Sequence, residues 1–280
     1  MKRYKPYTKS RREMSTIEFG NFLTVSEPYK GLTHGFRRKM GRNNAGMITT
    51  RHKGGGAKRL FREVDFRYDK INVPYTIKTV EYDPNRSGFI GLAQYADGQR
   101  RYVLLPKEVR VGDTLITSEN AEPKAGNRLI LRNIPIGTFV YNVEVKPGAG
   151  AKMARSAGNF IEVIAKDAGY VDIKLPSTEV RKVKETCWAS VGSVSNDENR
   201  LVNLGKAGRS RWLGIRPTVR GTAQNPVDHP YGGGEQRQGR GRRRAISVYG
   251  KPTGKGQKSR TPKKYSNKFI VSRRRVGKNK

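Results

Sequence analysis

Residues 75–95, YTIKTVEYDPNRSGFIGLAQY, decide how this chain folds. YTIKTVEY (75–82) alternates apolar and polar side chains with period two, the signature of a half-buried strand. YDPNRSG (82–88) then concentrates the residues that make turns, and GFIGLAQY (88–95) repeats the alternation less cleanly. A hairpin is expected here.

Working outward, the same pattern recurs. VDFRY (64–68) precedes the hairpin, and RRYVLL (100–105) and DTLIT (113–117) follow it, separated by the turn stretches YADGQR and LPKEVRVGD. After NAEPKAGN (120–127) a second set begins: RLILR, TFVYNVEV (138–145), NFIEVIA (159–165), GYVDIKL (169–175) and EVRKVKE (179–185). Short strands at this spacing indicate small barrels, not a parallel sheet. Five strands on each side of the break near residue 123 predict an all-β core of two barrel modules, over 61–123 and 124–196.

Charge separates that core from the rest. The 280 residues carry 58 Lys plus Arg against 23 Asp plus Glu, a net +35. Residues 1–60 hold 15 basic and 3 acidic side chains, net +12, and residues 205–280 hold 22 and 2, net +20. The middle, 61–204, holds 21 and 18, net +3. A near-neutral core thus lies between two basic extensions, expected over 1–60 and 197–280, and such an excess of charge calls for a polyanionic partner. The C-terminal extension is rich in Gly, Pro and Arg/Lys and poor in apolar residues, so it is expected to order only against that partner. Tyr7, Trp212, Tyr231, Tyr249 and Phe269 are interleaved with its charges and those of the N-terminal one, as flat faces for bases or sugars.

Several function classes are disfavoured. No apolar run approaches a membrane span, and the start, MKRYKPYTKSRRE, has no apolar stretch after its charges, so neither secretion nor membrane insertion is expected. Gly and Pro break the arms too often for an amphipathic membrane helix. The single cysteine, Cys187, reads as a small buried apolar side chain; with it, His34, His52 and His229 offer no metal-ligand spacing. GKPTGK (250–255) has three intervening residues where a phosphate-binding loop has four, and Gly256 where Ser or Thr is needed. A reducing compartment fits, either a bacterial cytoplasm or an organelle interior, and the absence of a transit-like leader favours the former.

Two glycine-rich basic loops and one His-bearing loop remain as candidate sites. In GRNNAGMITTRHKGGGAKR (41–59), Arg51, Lys53, Lys58 and Arg59 flank Gly54, Gly55 and Gly56; in KPGAGAKMARSAGN (146–159), Lys152 and Arg155 do the same service. Both suit close backbone approach to phosphates, although flexible glycine turns alone would look similar. NPVDHPYGGGE (225–235) gathers Asp228, His229 and Glu235. As a catalytic site it would need Asp228 to orient the imidazole within a water-excluded pocket, and its own arm is poorly equipped to build one. Threading of a basic arm through tight space, with His229 donating to a phosphate or 2′-OH, is the better reading. Structured RNA suits small barrels with folding-on-binding arms better than DNA or an anionic membrane does. A general nucleic-acid-compacting protein, binding unrelated sequences equally, and an RNA-processing enzyme centred on His229 are the rival classes.

RNNAGMITTRHKGGGAKR, EYDPNRSGFI, RNIPIGT, KPGAGAKMARSAGN, LGKAGRSRWLGIRPTVRGTAQNPVDHPYGGGE and KFIVSRRR together resemble the large-subunit ribosomal protein two family, in its bacterial or organellar form. The resemblance runs from about residue 3 to 275. It implies an OB-fold barrel followed by an SH3-like barrel, between long basic extensions that order on rRNA. It implies a primary rRNA-binding scaffold of the large subunit, in contact with neighbouring ribosomal proteins and with the small subunit. Subunit association, tRNA binding and an intact peptidyl-transferase region, where RNA is the catalyst, are associated with the family. It implies no cofactor, Mg²⁺ being held only as rRNA-associated ions.

On matching positions the implied RNA-binding residues are Arg51, Lys53 and Gly54 to Gly56; Asn85 and Arg86; and Arg155 and Ser156. In the C-terminal arm they are Lys206, Arg209, Arg211, Trp212, Arg216, Arg220, Asn225 and His229. Three departures stand out. Tyr231 replaces the histidine usual after HP, Ala57 gives GGGAK in place of GGGHK, and 237–256 differs from the usual PVTPWG-type stretch. Replacing several arm cations is expected to weaken RNA binding. It should also flatten the salt dependence, by roughly 0.7 to 0.9 log units of slope for each phosphate no longer neutralised. Titrating binding against salt checks this; an unchanged slope would exclude the arms as the contact surface.

Overall fold

The protein is described by a computed structural model, covering residues 1–38, 40–234, 244–253 and 260–274. These residues fall into two compact units. Met1–Arg38, Lys58–Ala207 and Lys268–Lys280 make one, and Lys39–Ala57 and Gly208–Asn267 the other.

The first unit opens with the short ladders β1 (Lys2–Arg3) with β2 (Ser15–Thr16) and β3 (Thr33–Gly35) with β4 (Leu60–Arg62). The first barrel follows: β5 (Tyr75–Glu81), β6 (Ile90–Tyr95), β7 (Arg100–Leu104) and β8 (Thr114–Leu115), antiparallel in the order β7-β6-β5-β8. Tyr75 and Ile77 point into the core, as the alternation requires; a bulge between Ile77 and Thr79 then shifts the phase and brings Val80 inward. In β6 the alternation is blurred because both faces are covered. Ala93 and Tyr95 pack into the main core, while Ile90 and Leu92 meet Tyr102, Leu32 and Val64 on the other face.

The second barrel is built from β9 (Arg128–Ile130), β10 (Phe139–Tyr141), β11 (Val143–Glu144), β12 (Ala151–Met153), β13 (Ile161–Asp167), β14 (Tyr170–Lys174), β15 (Val180–Lys184) and β16 (Trp188–Val191). With β17 (Ile270–Ser272) the principal sheet runs β17-β15-β14-β13-β10-β16-β9, and β11 pairs with β12. The result is the expected all-β core, OB-like and then SH3-like, and no helix among the described residues is long and apolar enough to cross a membrane.

Individual strands correct the sequence reading. VDFRY is not a strand: Val64 makes one lone bridge to Tyr102, and Asp65 Oδ1 accepts the Arg67 and Tyr68 N–H groups at 2.8 and 3.0 Å. That side chain offers the backbone a turn in place of a ladder, with Tyr68 at φ 53. TFVYNVEV is split at Asn142, φ 50, and RLILR bends into a 3₁₀ turn after Ile130. KFIVS, assigned to the C-terminal arm, contributes β17 to the edge of β15, satisfying backbone groups that an edge strand would leave open. Cys187 is buried in the second core as expected, and burial, reinforced by the Glu144 carboxylate, pushes its thiol up to about 12.

Where the two barrels of this unit meet, Tyr68 of the first packs against a charged set buried in the second. Arg128 and Glu144 pair at 3.2 Å with side chains 1% and 2% exposed. Arg128 also donates to Asn142 O at 2.8 Å and lies 4.5 Å from the centroid of the Tyr68 ring, from the other barrel. Asn142 Nδ2 donates to Tyr68 Oη at 2.9 Å, and burial pushes the Tyr68 phenol up to about 12. Glu144 Oε2 accepts the N–H groups of Gly148 and Trp188. Removing one member of such a pair strands a buried charge. Glu144→Leu is expected to cost about 3 to 5 kcal/mol in urea unfolding of the full chain; a decrease below about 1 kcal/mol would show that the pair is dispensable.

Candidate nucleic-acid interface

Asn85 and Arg86 sit on the β5–β6 turn, and Arg155 and Ser156 on the loop after β12. The sequence separates them by about seventy positions; the fold brings all four to one cleft of about 800 Å³. Ser87 makes the junction: its Oγ accepts the Ala157 N–H at 3.0 Å and its carbonyl accepts Asn196 Nδ2 at 2.6 Å. Asp83, fully buried, holds the turn by accepting the Asn85 N–H at 2.8 Å and pairing with Arg86.

Phe66 forms the floor. The Arg155 guanidinium lies 4.1 Å from its ring centroid and that of Arg86 5.3 Å. Burial and the neighbouring Arg86 charge hold the Arg155 guanidinium below its usual value. Arg62 lines the same cleft, nine-tenths buried, and its Nε has no hydrogen-bond partner. Three guanidinium groups line the cleft; Arg86 is already paired with Asp83, and Glu63 is the one acidic side chain among the described lining residues, which leaves Arg62 and Arg155 for an anion to offset. Sequence reading missed Arg62, Phe66 and Ser87. They lie in a short ladder, in a turn that looked like a strand, and in a turn residue whose role is set by a loop far along the chain.

In the second unit the first glycine loop pairs with the C-terminal arm. Gly54 N–H donates to Gly214 O at 3.0 Å, Ala57 N–H to Trp212 O at 2.9 Å, and Arg216 N–H to His52 O at 3.0 Å. Gly56, at φ +85, lies so close to Gly214 and Trp212 that a Cβ there would stand 2.8 Å from their backbone atoms. At least Gly56 is therefore demanded by chain-on-chain packing as well as by any phosphate. The same pairing presents Arg51, Lys53, Arg211, Trp212 and Arg216 as exposed side chains, with Arg209 half-buried on the short helix α1 (Ala207–Trp212). Lys206, also exposed, belongs to the first unit.

The His-bearing loop is closed on itself. Asp228 and His229 N–H groups donate to Asn225 O, Gly232 N–H to His229 O, and Gly233 N–H to Gln224 O. Arg220 and Asn225 are exposed at its margins. His229 Nδ1 accepts the Tyr231 N–H at 3.1 Å, so Asp228 does not orient that nitrogen, and the ring proton is on Nε2. Tyr231 Oη accepts the Ile246 N–H at 2.8 Å, tying the loop to the turn at 245–253. Glu235 lies outside the described residues, as do 254–259 of the stretch that includes GKPTGK. No group of three His, Cys, Asp or Glu side chains is placed to hold a metal among the described residues.

Comparison with known families gives two matches. Residues 29–117 match the model for Ribosomal Proteins L2, RNA binding N-terminal domain, and residues 124–256 match Ribosomal Proteins L2, C-terminal domain. The chain belongs to the ribosomal protein L2 family. The first L2 match holds the first barrel with its glycine loop, and the second holds the second barrel and the His-bearing loop. Both faces of the Arg-lined cleft therefore lie within matched L2 sequence. L2 proteins are RNA-binding constituents of the large ribosomal subunit, a structural family, and their place is the ribosome.

The L2 loop carrying His229 also yields a test of geometry. A Cβ added to Gly221 would stand 2.4 Å from the imidazole. Gly221→Ala is expected to turn the His229 ring away and break its bond with the Tyr231 N–H. Nitrogen-15 NMR of the imidazole reads this directly as a change in tautomer signal; an unchanged signal would mean the loop absorbs the methyl group elsewhere.

Proposed function

We propose that this protein is a primary rRNA-binding scaffold of the large subunit. In this reading Arg62, Arg86 and Arg155 clamp a phosphate of the RNA strand, with Asn85 and Ser156 donating to its sugar or bases. Arg51, Lys53, the glycine loop, Lys206, Arg209, Arg211, Trp212, Arg216, Arg220, Asn225 and His229 extend the contact along the basic segments, which order on rRNA. The protein supports subunit association, tRNA binding and the peptidyl-transferase region by shaping RNA, and rRNA performs peptidyl transfer. It needs no cofactor of its own, it meets neighbouring ribosomal proteins and the small subunit, and its ribosome is of the bacterial type.

The observation that carries this reading is the cleft, where two loops distant in sequence present converging cations on an aromatic floor. An enzyme centred on His229 is disfavoured, since Nδ1 is committed to a backbone N–H and the residue expected to orient it does not. Arg86→Gln with Arg155→Gln is expected to lower affinity for deproteinised large-subunit rRNA at least tenfold. The salt slope should fall by roughly 0.7 to 0.9 log units, for the one phosphate that the clamp neutralises. Wild-type affinity and slope in a variant of unchanged melting temperature would refute the clamp.

A further inference from the structure

The outer surface of the second barrel carries a feature that the cleft does not use. Phe139, on β10, and Phe160, just before β13, are 47% and 42% exposed, and their ring centroids are 4.5 Å apart with planes 51° apart. Ile136 and Ile164 are exposed beside them. The Gly137 N–H to Val163 O bond, 2.8 Å, and the Phe139–Glu162 register run these two stretches side by side. Mutual contact explains why the rings touch. It leaves unexplained why two large aromatic faces stand in water on a well-packed barrel.

We infer that Phe139 and Phe160 form a stacking platform for one or two unpaired bases of the rRNA. Four apolar side chains are far too few for the core of a stable protein–protein interface, whose burial runs to about 800 Å² per partner. They suit a base, which needs one flat face and tolerates any sequence. The two rings splay, so each presents its own face. The one acidic side chain in register with Phe139, Glu162, is neutralised by Lys174 at 3.1 Å, so no uncompensated carboxylate there opposes an RNA strand. Continuity with the cleft is the further argument. A turn closed by Asn159 N–H to Ser156 O, 3.1 Å, leads from the loop of Arg155 and Ser156 straight to Phe160. Four residues span at most about 14 Å, within reach of neighbouring nucleotides on one strand.

This inference rests on the reading of the chain as an rRNA binder, and the test separates the two. Phe139→Leu with Phe160→Leu keeps apolar bulk but removes the flat faces, whereas Phe139→Tyr with Phe160→Tyr keeps them. Binding to deproteinised large-subunit rRNA is measured across salt for both, beside the Arg86/Arg155 variant. The Leu pair is expected to bind about tenfold more weakly with an unchanged salt slope, because every phosphate keeps its cation. It should also leave one or two unpaired nucleotides newly reactive in chemical probing, while the Tyr pair binds as wild type. Should the Leu pair fail to fold, Phe139→Leu alone, at the more exposed ring, is read in the same way. Wild-type binding by the Leu variant, or weakened binding in the Tyr pair as well, overturns the platform. Normal rRNA binding coupled with absence of a neighbouring protein from reconstituted subunits assigns the surface to a protein partner and overturns it too. If the Arg86/Arg155 variant is also unaffected, the underlying reading falls with it.

Discussion

Tyr68 ties the first barrel to the second, where it meets Asn142 and the buried Arg128–Glu144 pair. Moving two charges out of water is expensive, and a well-packed apolar replacement is often as stable. What the ionic set adds is direction. Arg128 has bonds to Glu144 and Asn142 and lies against Tyr68, Asn142 bonds Tyr68, and Glu144 also accepts two backbone N–H groups. All but Tyr68 belong to the second barrel, so the docking is directed by the two contacts to Tyr68, a hydrogen bond and a cation–π contact whose geometries must be met together. Apolar surfaces slide past one another at little cost; this set does not.

That fixed docking is what the cleft requires. Arg86 and Arg155 come from different barrels and repel one another, and neither the β5–β6 turn nor the loop after β12 would bring them together alone. Ser87 bridges the two loops, and Phe66 gives both guanidinium groups a face to rest on. The repulsion is held in place by the packing beneath it. A phosphate entering the cleft would meet cations already in place, with little ordering left to oppose binding.

How much of this was legible in the sequence depended on the range of the deciding contact. YTIKTVEY is a strand in both views because one face meets a core and the other meets water, which the residues themselves record. GFIGLAQY was harder, since β6 is covered on both faces and period two fades. VDFRY misled because Asp65 spends its carboxylate on a local turn. The splitting of TFVYNVEV depends on Asn142 leaving the strand to reach Tyr68, seventy-four positions away, and β17 depends on an edge about ninety residues earlier. Of the site, the Arg and Gly residues were visible as chemistry. The pairing of Gly54–Ala57 with Trp212–Arg216 and the convergence of Arg86 with Arg155 were not, because no periodicity encodes a long-range encounter.

The His-bearing loop shows why composition alone misleads about catalysis. Asp, His and Glu close together suggest proton transfer, but an acid–base site needs a group whose ionisation is moved toward working pH by its surroundings. In this fold burial in the cores raises Tyr68, Tyr75, Tyr141 and Cys187, and each is kept neutral there. In the loop, backbone groups bond one another and His229 Nδ1 takes a backbone N–H, with prolines setting the path and glycines admitting the imidazole and the returning chain. With Nδ1 taken by the Tyr231 N–H, the nitrogen left to donate is Nε2. Under the proposed function such a donor on a closed loop would meet an acceptor oxygen, which RNA offers at every phosphate and every 2′-hydroxyl.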